Sequence, residues 1–350
     1  MAELTPRTAV LKMAPYSPPT GGRAGKLRLD FNENTVGCSP GVLECLAKWL
    51  NADRLTIYPE YVEARKEIAA FFGVAGDQLL LSNGTDEAIQ VLINTYVDDD
   101  AEVLLLRPSY AMYRFYAELA GGAIRETNYH SGDLSFPIEE LLAAITPGTR
   151  AILIANPNNP TGTAVSLDAI ERILSQASNA AVLIDEAYFE FCGITALPLV
   201  ARYPNLFVSR TFSKVYGMAA MRMGCVFSQA RNVAYMHKAQ SPYSVNMLAA
   251  VAARAAIRDT DYIRRYVDEA LAARQMICDG FGAMGIGYFP SQANFVLFRA
   301  GNRAIEVRDK LREKGVLIRD RSYELPGCVR VTVGTREQAQ RFLGALKEIW

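Results

Sequence analysis

The sequence predicts an α/β fold, with a mainly parallel seven-stranded sheet in a large domain and a smaller α+β domain after it. Three observations carry this. From about residue 77, short apolar runs alternate with helical patterns, which is how βαβ units read. Most of those runs lack polar alternation, as strands covered on both faces do. After about residue 245 the pattern changes to a long helical tract followed by shorter mixed runs. A length of 350 residues corresponds to about two domains.

Residues 1–45, rich in Pro and Gly, read as an extended arm that packs with the smaller unit. The predicted large domain spans 46–255 and the small one 256–350. The seven candidate strands are "QLLLS" (78–82), "EVLLLR" (102–107), "AIRETN" (123–128), "RAILIAN" (150–156), "AVLID" (181–185), "LFVSR" (206–210) and "GCVFS" (224–228). Between them lie helical stretches such as 86–97 and 166–178. One helical tract is expected over 244–280, then strands at 294–299, 315–320 and 328–334, a helix at 303–314 and a final helix to Trp350. "GFGAMG" (280–285) fits the dinucleotide fingerprint, but that fingerprint works only between a strand and a helix N-terminus. In this chain a helix precedes it, so Gly280 and Gly282 read as a helix stop and turn.

Composition excludes several function classes. Basic and acidic residues balance at 37 each, which removes the electrostatic case for nucleic acid or an anionic membrane. No apolar run approaches a membrane span, and no secretory signal is visible, so a cytoplasmic protein is expected. The six cysteines form no CxxC pair or zinc spacing, and two histidines leave little material for a metal site or a Ser-His-Asp triad. No metal is expected.

The informative residues follow the candidate strands, where open parallel sheets bind ligands. Gly84 and Thr85 in "SNGTDEAI" open a helix whose free amides suit a phosphate. Tyr110 in "RPSYAMY" ends a strand and can stack on a flat ligand. Asn159 in "NPNNPTG" can aim its amide at a ring substituent. Asp185 ends the apolar run "AVLID", so its carboxylate needs a cationic partner, and Tyr188 is close behind. In "RTFSKVYGMAAMRMG" (210–224), Lys214 is flanked by Thr211 and Ser213, with Arg222 following. Hydroxyls and a guanidinium suit a phosphate monoester. A ligand with a phosphate, a ring nitrogen, a ring oxygen and an aldehyde for a lysine is pyridoxal 5'-phosphate. For each stretch alone, a helix cap, a tight turn or a solvated lysine accounts for the residues equally well.

Taken together, "APYSP" (14–18), "DFNEN" (30–34), "IYPE" (57–60), "NPNNPTG", "DEAYFEF", "TFSKVYGMAAMRMG" and "GCVRVTVGTRE" (327–337) stand in an order and spacing that cover nearly the whole chain. In them the chain resembles fold-type-I pyridoxal-phosphate-dependent aminotransferases, and within that group it is similar to histidinol-phosphate aminotransferases. The resemblance implies that Lys214 is the Schiff-base lysine. It pairs Asp185 with the ring nitrogen, gives the ring oxygen to Asn159 and Tyr188, and stacks Tyr110 on the ring. It places Gly84, Thr85, Thr211, Ser213 and Arg222 around the phosphate. Tyr58 would reach the cofactor phosphate of a neighbouring subunit, which implies a homodimer with shared sites. Arg330 would grip a substrate α-carboxylate, Arg319 and Tyr16 would lie at the substrate phosphate end, and Asn32 would join the substrate-binding residues. The implied partners are a small amino donor and a 2-oxo acid, with no nucleic acid and no membrane. The chain departs from the family at Thr35, where a proline is usual, and at Ile57, where an arginine is common. Three other readings stay open at this point: an aromatic aminotransferase, a decarboxylase on the same fold, and a non-enzymatic cofactor-binding domain. Neutral charge and the lack of an added DNA-binding segment argue against the last.

Overall fold

The structure, a computed structural model, describes residues 4–15 and 21–350. Its strands are β1 (Leu27–Arg28), β2 (Leu79–Asn83), β3 (Glu102–Arg107), β4 (Ala123–Asn128), β5 (Thr149–Ala155), β6 (Ala181–Asp185), β7 (Leu206–Thr211), β8 (Met223–Phe227), β9 (Tyr288–Phe289), β10 (Phe295–Arg299), β11 (Val316–Leu317), β12 (Arg319–Asp320) and β13 (Cys328–Thr332). Seven of them form one sheet in the order β2-β8-β7-β6-β5-β3-β4. β4, β3, β5, β6 and β7 run parallel, while β8 is antiparallel to both of its neighbours, β7 and β2. All seven expected strands are present to within a residue.

The apolar runs explain the burial. Alternate residues of the same strands enter two separate hydrophobic clusters, one on each face. Ile152, Ile154, Val182 and Ile184 belong to one, and Ala151, Leu153, Ala181 and Leu183 to the other. With helices on both faces, neither face can be polar. β4 is the exception, an edge strand with mostly exposed or half-buried residues. Helix Gly84–Tyr96 follows β2, Ala111–Ala120 follows β3 and Leu167–Gln176 follows β5. The side chains that matter therefore gather at one end of the sheet.

A second, antiparallel sheet has the order β12-β13-β10-β9, and β1 pairs in parallel with β11. The expected strand at 315–320 is thus two short strands in different sheets. Of the arm, β1 pairs with β11 among the C-terminal elements. Helix Thr8–Lys12 instead lies beside Ala111–Ala120 in the large unit, with Arg7 reaching Asp99 at 3.9 Å. The single tract expected over 244–280 is two helices, Met247–Arg258 and Thr260–Ala283. Asp259 separates them and caps the second by accepting from the Tyr262 amide at 3.1 Å. Ser39 Oγ donates to the same carboxylate, so a residue far away in sequence fixes the break.

Gly280 and Gly282 do not stop the helix, because both lie inside Thr260–Ala283. A Cβ on Gly280 would stand 2.6 Å from Leu343 Cδ2, so this glycine lets the C-terminal helix Arg336–Lys347 approach closely. The stop comes later, at Gly285, whose φ of +66° is left-handed. Among the described residues, no helix is long and apolar enough to cross a membrane.

Candidate active site

A cavity at the carboxyl ends of β2, β5, β6 and β7 is lined by Thr85, Tyr110, Asn159, Asp185, Tyr188, Thr211, Ser213, Lys214 and Arg222 on one side. Asn32, Arg319 and Arg330 line it from the other. Twelve residues singled out in the sequence therefore meet in one space.

The acidic groups at the end of β6 define its chemistry. Asp185 and Glu186 are adjacent, and both are buried. Glu186 has a cation, since Arg210 donates to its carboxylate from Nε at 2.8 Å and the pair is out of water. Asp185 has none. It accepts from Tyr113 OH and Ser209 Oγ, each at 2.8 Å, with the Ala187 amide as a further donor. Among the described residues it forms no ion pair. Burial raises its pKa above the ordinary carboxylate value of 3.8, and the three neutral donors offset this only in part. A buried carboxylate held by neutral groups is the counterpart of a cationic ligand atom. Sequence reasoning missed Tyr113, whose helix position reads as ordinary core.

Lys214 is half-buried, and its Nζ donates to the Phe31 carbonyl at 3.0 Å, 5.8 Å from the Tyr188 ring centre. Asn32 donates from Nδ2 to Tyr188 OH at 3.0 Å and takes a bond from Thr332 Oγ1 at 3.1 Å. Since its amide is engaged with Tyr188, Asn32 acts as a support for that tyrosine. That leaves the Tyr188 O–H free to donate into the cavity.

The phosphate end is built on the first turn of Gly84–Tyr96, whose amides have no side-chain cap. A Cβ on Gly84, at φ +73°, would stand 2.5 Å from Arg222 Nη2, so glycine lets the guanidinium close on the turn. Arg222 also donates to Ser213 Oγ and Asp86 Oδ2, each at 3.3 Å, and Asp86 accepts from Tyr110 OH at 2.8 Å. Backbone amides, hydroxyls and a guanidinium around one space are what a phosphate monoester needs. The donor set, the lone carboxylate and the lysine amine together fit pyridoxal phosphate.

On the opposite wall, β12 and β13 set Arg319 directly across from Arg330. Like charges in directly opposed cross-strand positions are unfavourable without an anion between them. Arg330 is buried. It donates to Asn159 Oδ1, and to the Asp30 carbonyl at 2.7 Å, while its Nε has no hydrogen-bond partner among the described residues. Burial lowers its pKa, and nearby Arg319 does the same. Arg319 Nη1 is likewise buried without a hydrogen-bond partner among the described residues, and the guanidinium lies 5.3 Å from the Phe31 ring centre. This wall is arranged for an anion.

Two predicted residues do not line the cavity, and a third is not described. Tyr58 is exposed and does not line the cavity, with its ring 4.7 Å from that of Tyr243. Gly84 shapes the turn from behind the lining residues. Tyr16 lies outside the described residues. Among those described, no group of His, Cys, Asp and Glu could hold a metal ion, and all six cysteines are free.

Fold and site together define a pyridoxal-phosphate-dependent enzyme of fold type I. The chain belongs to the aminotransferase class I and II family, whose model matches residues 24–346. It is 36% identical to a histidinol-phosphate aminotransferase of Symbiobacterium thermophilum, over 97% of each chain. It is 37% identical to one from Limosilactobacillus fermentum, over 89% of this chain and 87% of that one. In structure it is similar to the Sinorhizobium meliloti histidinol-phosphate aminotransferase in complex with pyridoxal-5'-phosphate. That likeness has a TM-score of 0.89 and 24% identity, over 99% and 98% of the two chains.

The Tyr113 bond makes a testable difference. Tyr113→Phe removes a donor to the ionised form of Asp185, which raises that carboxyl further. An acid raised in the folded state costs stability as pH climbs from its unfolded value through its folded one. Cofactor-free Tyr113→Phe should therefore lose about 1–3 kcal/mol at pH 8 and less at pH 5, by urea denaturation. A loss equal at both pH values would reduce Tyr113 to packing.

Proposed function

We propose that the chain transfers an amino group from histidinol phosphate to 2-oxoglutarate, in two half-reactions at one site. The observation that carries this is a single cavity with a lysine amine at its centre, an unpaired buried carboxylate on one wall and two partly unpartnered arginines on the other. The donor assignment is supported by relatives of that name at 31–37% identity over most of the chain.

When bound, pyridoxal phosphate supplies an electron sink for the pair left at the donor carbon as its proton departs. The chain's residues do the rest. Lys214 would hold the cofactor covalently at rest, and its amine would move the donor-carbon proton as base and then as acid. Asp185 keeps the ring nitrogen protonated, and Tyr188 and Asn159 hold the ring oxygen. Tyr110 covers one ring face, while Gly84, Thr85, Thr211, Ser213 and Arg222 hold the cofactor phosphate. Arg330 takes the carboxylate of the oxo acid, and Arg319 with Tyr16 takes the donor phosphate. An arginine fork suits both anions, which lets one wall serve both half-reactions. In this reading residues 1–45 form the arm and part of the small domain, 46–255 the large domain and 256–350 the small domain, in a cytoplasmic enzyme.

The same reading makes the protein a homodimer with shared sites, Tyr58 completing the partner's phosphate site. Leu55, Ile57, Tyr58, Val62 and Tyr243 are all more than half exposed, and a second copy would cover this apolar surface. Light scattering should give twice 38.5 kDa. A monomer that retains full activity would contradict the shared site.

Lys214→Arg tests the chemistry. Arginine keeps the charge but cannot give up its proton at any working pH. Turnover of histidinol phosphate with 2-oxoglutarate should fall by at least the roughly 10²–10⁴-fold that positioned proton transfer supplies. In the wild type, borohydride should fix the cofactor on the peptide containing Lys214. Label on another lysine would sink the assignment, and faster turnover of phenylalanine or tyrosine would move the donor to the aromatic class.

A further inference from the structure

The cavity has a third arginine on its anion-binding wall that the proposed reaction has not used. Arg321 lines the same space as Arg319 and Arg330 and is 7% exposed. Strand periodicity explains its placement, since residues two apart in extended backbone share a face. Arg319 opposes Arg330, and the ladder continues for one more bond, from the Arg321 amide to the Cys328 carbonyl at 3.0 Å. The chain then turns. The Glu324 and Leu325 amides donate back to the Arg321 carbonyl at 3.1 and 2.9 Å, which swings Glu324 round to the guanidinium. Arg321 Nη2 and Glu324 Oε1 form an ion pair in which both side chains are largely out of water. The guanidinium also lies 5.1 Å from the ring centre of Tyr323, another lining residue at the rim.

The charge balance shows why this matters. Five cationic side chains line the cavity against two carboxylates, Asp86 and Asp185. Asp86 is engaged with Arg222 and Tyr110, and Asp185 faces the cofactor end. Among the described residues, the substrate end therefore holds three guanidinium groups and no lining carboxylate. An α-carboxylate needs one fork, whereas a phosphomonoester dianion has three oxygens and accommodates more donors. Glu324, close to Arg321 but not a lining residue, gives the third guanidinium a partner when no substrate is bound. Leaving a buried guanidinium without an anion would be costly.

We propose that Arg321 is a specificity-determining residue for the phosphate of the donor, and that Glu324 competes with that phosphate for its guanidinium. This rests on the proposed aminotransferase reading and extends it. On binding, the phosphate takes Nη2 from Glu324, whose carboxylate then turns toward solvent. No bond is made or broken, so the preference appears in KM and not in the proton-transfer step.

The test uses the holoenzyme with saturating 2-oxoglutarate, histidinol phosphate and a phosphate-free aromatic donor. Arg321→Gln should raise KM for histidinol phosphate about tenfold more than for the aromatic donor, the scale of one charged hydrogen bond, with kcat little changed. Arg321→Lys should recover part of that difference. Glu324→Gln should act in the opposite direction, lowering KM for histidinol phosphate and the inhibition constant of inorganic phosphate. If the pair were only a structural clip, both variants would lower Tm and penalise both donors alike, which overturns the proposal. Opposite shifts in Glu324→Gln decide the matter even if Arg321→Gln fails to fold. A wild type that prefers the aromatic donor overturns the donor assignment and this proposal together. Equal penalties in a wild type that prefers histidinol phosphate overturn this proposal alone.

Discussion

Asp185 is the constraint on which the site depends. Folding places a carboxylate out of water at the end of a central strand and surrounds it with neutral donors only. Glu186, one residue on, shows the usual solution, a buried carboxylate that has its own arginine. The difference follows from strand geometry, because adjacent side chains point to opposite faces. On one face Arg210 from β7 reaches Glu186, and on the other Tyr113 and Ser209 reach Asp185. The unfavourable charge is retained where a cationic ring nitrogen can relieve it, as functional sites often retain local cost.

The opposite wall has the mirror-image problem. Arg319 and Arg330 face each other across an antiparallel pair, so the cavity has a carboxylate without a cation at one end and two opposed guanidinium groups at the other among the described residues. A ligand with a cationic ring nitrogen, joined to a substrate carrying anions, relieves both. Arg330 also bonds Asn159, so the cation wall is tied to the wall that would hold the cofactor ring oxygen. Binding at one end thus has a direct physical route to the other.

Much of this was legible in the sequence because the signals are local. A strand buried on both faces must be apolar throughout, so β5, β6 and β7 stood out as uninterrupted runs, and their carboxyl ends located Asn159, Asp185 and Lys214. What stayed hidden depends on contacts remote in sequence. The break at Asp259 is fixed by Ser39, which lies 220 residues away in sequence. Gly280 read as a stop, but it serves close packing against Leu343. Tyr113 has the pattern of a core residue, and only the fold brings its hydroxyl to Asp185. Arg321 had a weak signal, the period-two spacing from Arg319 in "RDRS", which an ordinary surface turn also shows. The contacts proposed for Tyr58 in a dimer lie beyond one chain, and Tyr16 lies outside the described residues.

The most direct test is the protonation of the cofactor ring nitrogen, read by nitrogen-15 NMR of holoenzyme loaded with ring-labelled pyridoxal phosphate. A buried carboxylate with no other cation should keep that nitrogen protonated in the wild type at pH 8. The neutral amide of Asp185→Asn should leave it unprotonated at the same pH. An unprotonated nitrogen in the wild type, or a protonated one that survives in Asp185→Asn, would contradict the role of Asp185 as the partner of the ring nitrogen.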